Sequence, residues 1–233
     1  MTEALDRVRG VRELPLFPLP LVLYPGVPLP LHIFEPRYRQ MLADVRAGNG
    51  FFGVSFFDPN DTDAQIPPVG HVGCVAELIE AQEQPDGRAN VLTIGLIRYR
   101  IDEYVERGDL YLVGQPVFFE DEIEDADMLR DAAREVSDFF MRIARAMRSL
   151  NDDRSSLPEL PDSDPERLSF LVAAALEMDS DAKLALLELR STSERLTRIR
   201  ELLQLALANY EERARVHTLA KGNGHSGKKL SFE

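Results

Sequence analysis

The chain has 233 residues, is 44% hydrophobic and 29% charged, and carries a formal net charge of -13, a balance that suits a globular protein able to bury one large core or two small ones. A field of that sign repels nucleic acid and anionic membranes. The first ten residues hold no apolar signal-like segment, no apolar run nears the roughly 20 residues that span a bilayer, and Cys74 is the single cysteine, so no internal disulfide forms and a cytoplasmic location is expected.

Residues 1–13 are polar and are expected to form a flexible N-terminus. From Leu14 to Met41 the chain reads LPLFPLPLVLYPGVPLPLHIFEPRYRQM, with prolines at 15, 18, 20, 25, 28, 30 and 36. Each removes a backbone donor and fixes φ, so no long helix forms before residue 36. Two short extended segments are expected on either side of a Tyr24-Pro25-Gly26 turn. Pro36 then suits the first turn of a helix in which Tyr38, Met41, Leu42 and Val45 recur at helical spacing, with Gly48-Asn49-Gly50 as its stop.

Phe51 to Phe57 is apolar on both parities, as in a strand buried on both faces or one bulged at Gly53. A loop from Asp58 to Pro68 follows. Val69–Glu80 and Val91–Glu106 form a hairpin across the Gln84-Pro85-Asp86-Gly87-Arg88 turn, with Gly95 as a bend that lets the sheet curl, and Leu110–Phe119 completes a meander. Composition then changes. Six acids fall between Glu120 and Asp127, after which the apolar period lengthens to that of a helix through Leu129, Val136, Ile143 and Leu150. Further helices are expected from Asp164-Pro165, from Asp179-Ser180, and from the capping box Ser191 to Glu194. The expected division is therefore a β-rich part over 14–122, a helical part over 123–217 that packs as a four-helix bundle, and a disordered tail over 218–233.

Chemical motifs are weak. Gly222 to Lys228 fits the first seven positions of a P-loop, but Lys229 stands where Ser or Thr should hold Mg²⁺. Ser55 lacks the second glycine of a nucleophile elbow, since Phe57 occupies that place. His71 and Cys74, three apart on a strand, would point to opposite faces, against a zinc pair. The acids of 120–127 lack the EF-hand pattern and read as a solvated connector. No catalytic residue, cofactor or metal site is expected.

The proline-rich opening, with Gly70-His71-Val72-Gly73 and the Asp164-Pro165-Glu166-Arg167-Leu168 helix start, resembles the amino-terminal substrate-binding domain of the Lon protease family, a fold also found in cereblon. The resemblance covers about Leu14 to Arg215 and implies an α+β fold, a PUA-like curled sheet or pseudo-barrel followed by a helical bundle. It implies capture of polypeptide by a binding module. It brings neither the ATPase and peptidase parts of Lon nor the zinc-bearing domain of cereblon, so proteolysis is not expected.

The expected role is non-enzymatic binding of polypeptide segments or a partner protein, as an adaptor or holdase. A groove lined by aromatics is expected, with Tyr24, Pro25, His32, Phe34, Phe118 and Phe119 as its candidate residues. The alternatives are RNA binding, for which Arg98 and Arg100 are the nearest approach to a basic surface, and a hydrolase built on Ser55 and His71. Neither nucleic acid nor membrane is an expected partner.

Overall fold

The computed structural model describes residues 3–60, 66–150, 160 and 164–223. A short helix, α1 (Glu3–Arg7), leads into β1 (Leu14–Leu19), β2 (Pro28–Ile33), helix α2 (Pro36–Ala47), β3 (Phe51–Phe56), β4 (Val72–Glu83), β5 (Ala89–Tyr104) and β6 (Leu112–Phe119). Four helices follow: α3 (Ala126–Leu150), α4 (Pro165–Ala175), α5 (Ser180–Glu188) and α6 (Thr192–Asn223). The α+β expectation holds.

The strand order is β2-β5-β4-β3-β1-β6, and β6 also pairs with β5. The 16-residue β5 makes this possible: its first half takes β2 and its second half takes β6, while β4 runs along its other edge. The sheet thus curls into a ring of five strands, with β2 left as an outer edge. Register shifts at Cys74/Ala76 and Leu78/Glu80 bend the β4–β5 pair, as bulges do. Gly95 lies beside the first of them, and its backbone exchanges hydrogen bonds with Gly26 and Val27 of the opening turn. A Cβ there would collide with the Tyr24 carbonyl.

The two-faced burial of β3 has a direct cause. Phe52 and Val54 join a core with Phe17, Cys74, Ala76 and the buried face of α2, whereas Phe51 joins a second core with Leu14, Leu16, Val75 and Tyr99. Period-two alternation then places apolar side chains in both. Gly53 carries no bulge in the register. Instead the Tyr99 ring runs from β5 across Gly73 on β4 to Gly53 on β3, where added Cβ atoms would stand 2.7 Å from its Cζ and 2.5 Å from its hydroxyl. The hydroxyl shares a 2.6 Å hydrogen bond with the Ser55 hydroxyl.

Three expectations change. Residues 3–7 form a helix rather than a frayed end: Val8 is buried in the second core and Arg7 pairs with Glu77. The acidic segment is solvated only in part: Glu122, Asp125 and Asp127 are exposed, but two of its acids have structural partners. Asp121 forms a buried ion pair with Arg98, and the Asp125 carboxylate accepts from the N–H groups of Asp127 and Met128 to cap α3. Finally, the last helix continues through Asn223, into the stretch expected to be tail; the remainder of that tail, with most of the P-loop-like stretch, lies outside the described residues.

The chain divides into two compact units, one of residues 1–123 with 170–191 and one of 124–169 with 192–233. The first contains the whole sheet, and 170–191 returns to it rather than completing a four-helix bundle within 123–217. The physical reason is Arg98. Its guanidinium is fully buried, donates to the carbonyls of Leu187 and Leu189 at the end of α5, pairs with Asp121, and lies 4.7 Å from the Phe119 ring and 5.2 Å from Phe170. A buried cation needs such a cage. In the second unit α3 and α6 pack through Val136 and Ile143 on one side and Leu196, Ile199 and Leu203 on the other, and Arg200 bonds Glu135 at 3.1 Å. There the buried Arg195 donates to the Ser169 hydroxyl at 2.7 Å.

Candidate functional site

Soluble folds cover large apolar side chains where they can, so several exposed around one hollow mark a surface for something else. In the sheet unit Phe34, Ile66 and Leu110 are 58%, 55% and 64% exposed. All three line one cleft of about 720 Å³.

Four pieces of local structure build it. β1 runs past the point where β6 stops pairing with it, at Leu16 opposite Leu112, so Phe17 to Pro20 form one wall. β2 ends at Ile33 and hands over to α2 through Phe34 and Glu35. Pro36 starts the helix there, and this turn holds the Phe34 ring outward. Tyr38, in the first turn of α2, packs on Phe17 with ring centroids 4.0 Å apart and makes the floor with Tyr111, whose hydroxyl donates to Asp44 at 2.8 Å. Leu110 and Asp109 come from the turn before β6, and Ile66 from the loop before β4.

The polar side chains on the lining are His32, Glu35, Arg37, Asp109 and the phenols of Tyr38 and Tyr111. The His32 ring lies 6.0 Å from that of Phe34 and its Nδ1 is 2.7 Å from the Asn90 side-chain oxygen. Arg37 pairs with Glu35 at 2.9 Å and lies 4.5 Å from the Tyr38 ring centroid. Burial pushes the phenols of Tyr38 and Tyr111 above their ordinary range, with the Asp44 hydrogen bond adding to it for Tyr111. Both phenols are neutral at pH 7, and the arrangement offers apolar area bordered by hydrogen-bonding and charged groups.

Of the residues singled out in the sequence, His32 and Phe34 share this cleft. Tyr24 does not: it is fully buried, its hydroxyl donates to the Lys183 carbonyl at 2.8 Å and its ring lies 5.9 Å from Phe170. Pro25 stays in the turn that Tyr24 and Val27 close, and does not line the cleft. Phe118 packs on the second core and Phe119 lies beside Arg98 and Arg100 in the β5–β6 pair, so neither lines it. Ile66 and Leu110 are not among the residues expected at the site: Ile66 lies in the loop read from composition, and Leu110 reads as the first residue of a strand that begins only at Leu112. A lone apolar side chain between polar residues and Pro67-Pro68 is a signal for Ile66.

The other chemical candidates resolve into structure. Ser55 is buried against Tyr99, which removes it as a nucleophile. Arg98 is buried and paired, so no basic strip forms around it. Cys74 is a buried free thiol whose pKa burial pushes up to about 12. Burial lowers the His71 pKa. Among the described residues no group of three or more His, Cys, Asp or Glu is placed to hold a metal ion, and no helix is long and apolar enough to cross a membrane.

A curled mixed sheet followed by a long helical pair is the arrangement of the Lon amino-terminal domains. The crystal structure of a Lon N-terminal domain protein from Xanthomonas campestris shares it, with a TM-score of 0.56 at 23% identity over 80% of this chain and 96% of that one. The N-terminal domain of Mycobacterium avium complex Lon protease gives 0.63 at 16% identity over 83% and 98%. Residues 13–204 match the ATP-dependent protease La (LON) substrate-binding domain, and the chain belongs to that family. Among curated relatives, the Lon protease of Azorhizobium caulinodans is 24% identical over 92% of this chain and 25% of its own length, and that of Trichlorobacter lovleyi 26% identical over 85% and 24%. The chain spans about a quarter of the length of these relatives.

Proposed function

We propose that this protein captures exposed apolar segments of other polypeptides in the cleft between β1, β2 and α2, as a binding module without chemistry of its own, in the manner of an adaptor or holdase. The observation that carries the reading is the convergence of Phe34, Ile66 and Leu110, each more than half exposed, on one hollow floored by Phe17, Tyr38 and Tyr111. Family membership supports it by naming a substrate-binding domain. A reducing compartment such as the cytoplasm suits a chain whose one cysteine is a free thiol.

The test is fluorescence anisotropy with a labelled, permanently unfolded protein. Covering one such side chain contributes about 1.5 kcal/mol, roughly tenfold in affinity, so Phe34→Ala with Leu110→Ala should weaken binding at least tenfold. Val117→Ala, which removes an equally exposed apolar group elsewhere on the sheet, should not. Equal affinity for all three proteins would overturn the reading.

A further inference from the structure

We infer that the Tyr38 hydroxyl, in the floor of the cleft, donates to a main-chain carbonyl of the captured segment, a role that rests on the cleft reading above and names unfolded backbone as what is recognised. The sheet unit contains five tyrosines, at 24, 38, 99, 104 and 111. Four bond their hydroxyls within the protein: Tyr24 to the Lys183 carbonyl, Tyr99 to Ser55, Tyr104 to the Pro67 carbonyl at 2.6 Å and Tyr111 to Asp44. Tyr38 is the exception. It is only 6% exposed, yet its hydroxyl has no hydrogen-bond partner among the described residues. The side-chain atoms there that are fully covered and lack a hydrogen bond are His71 Nε2, Asp109 Oδ2 and Arg200 Nε, and the Tyr38 oxygen is not one of them. The little surface that Tyr38 keeps therefore includes its hydroxyl, and Tyr38 lines the cleft.

Buried polar groups are ordinarily paired, and an unpaired one in a dry site is costly. A ligand that covers this hydroxyl must bring an acceptor. The donor is fixed in advance: Tyr38 lies in the first turn of α2, with its ring centroid 4.0 Å from that of Phe17 and 4.5 Å from the Arg37 guanidinium carbon. Little side-chain freedom is then lost on binding. Burial raises the phenol pKa, which keeps the proton on the oxygen at neutral pH. The large side chains of the lining, Phe17, Phe34, Ile66 and Leu110, suit an apolar residue of the ligand. An unfolded segment that places such a residue there brings its own carbonyl with it, and that carbonyl also needs a partner once covered. In a helix the carbonyl is already taken by the N–H four residues on. One fixed donor thus reads unfolded chain beside any apolar residue, with little dependence on sequence.

Tyr38→Phe keeps the ring and removes only the hydroxyl. Anisotropy titrations of the full chain with a labelled, unstructured peptide bearing an apolar core should show about fivefold weaker binding. The urea midpoint should not move, since the hydroxyl bonds nothing in the described protein. A peptide series in which each core amide in turn becomes a thioamide, whose sulfur is a weak acceptor, locates the carbonyl. One position should weaken binding to the wild type and have no effect on binding to Tyr38→Phe. Unchanged affinity in Tyr38→Phe, a lowered urea midpoint, or a thioamide penalty that persists in the variant would overturn the inference, while losses in Phe34→Ala with Leu110→Ala keep the cleft reading standing. If that double variant also binds as the wild type does, the cleft reading fails and this inference with it.

Discussion

Tyr24 and Phe34 stand ten positions apart in the same proline-rich stretch, each beside a turn, and their fates are opposite. Tyr24 has no exposed surface, because Phe170 covers its ring and the Lys183 carbonyl takes its hydroxyl. Phe34 is 58% exposed, because the turn into α2 directs it away from the Phe17–Tyr38 floor and no later part of the described chain covers it. One side of the opening stretch is closed by residues 170–191, held there by the Arg98 cage; the other is left open with apolar walls. The difference shows that the burial of an aromatic here is decided by a segment more than 130 residues away, not by its neighbours.

The largest expected effect tests what holds the closed side. Arg98→Met takes the cation away from the buried Asp121 and removes a donor from each of the Leu187 and Leu189 carbonyls, so a loss of about 3–5 kcal/mol is expected from urea unfolding. A loss below 1 kcal/mol would mean that 170–191 stays on the sheet without the cage. Alkaline pH should act on the same core more gently. The Cys74 thiol ordinarily ionises near 9.0 but is pushed up to about 12 by burial. Between those values unfolding releases a proton, so stability falls as pH rises from about 9 toward 12 and is unaffected below. Tyr99, whose phenol burial also raises, adds in the same direction above its ordinary value. The slope is at most about 1.4 kcal/mol per pH unit for each group. A urea midpoint that stays constant between about pH 8 and pH 10 would contradict this.

Tyr24→Phe sharpens the contrast, since it removes one hydrogen bond and keeps the ring. About 1 kcal/mol should be lost in the same unfolding measurement, with peptide affinity unchanged. Phe34→Ala should do the reverse. Its effect on stability is expected within about 0.5 kcal/mol, and calorimetry of the variant, set beside its weakened binding, would show a residue that serves the surface and not the fold. A stability loss near that of a core aromatic would remove the distinction between the two positions.

Features set by short-range chemistry were legible in the sequence. The Gln84–Arg88 turn carries Gly87 at φ 79°, the Pro36 start of α2 and the Asp164 cap of α4 lie where the residues indicate, and the Asp179 carboxylate caps α5 by accepting from Ala182. The parallel pairing of β1 with β3 was not legible, because no turn connects them and apolar alternation fits several partners. Nor was the return of α5 to the sheet, since it depends on a buried arginine that looks in sequence like any surface residue of a strand. For the site, aromatic content pointed to Phe34 but equally to Tyr24 and Phe118, whose cover comes from distant segments. Ile66 had the better signal, being an apolar residue that its loop had no local reason to carry, whereas Leu110 heads the apolar run Leu110–Val113 and reads as strand.

The Tyr99 ring lying over Gly73 and Gly53 has a consequence for how this sequence can change. Three positions on three different strands share one volume, so none of them is free to vary alone: any side chain at 73 or 53 evicts the ring, and any smaller residue at 99 opens a void and strands the Ser55 hydroxyl. Viable descendants of this chain must move through this trio in concert, exchanging the ring for side chains at the two glycines. A library randomised at 53, 73 and 99 together should return folded members in linked sets, whereas randomising 53 or 73 singly should return chiefly glycine.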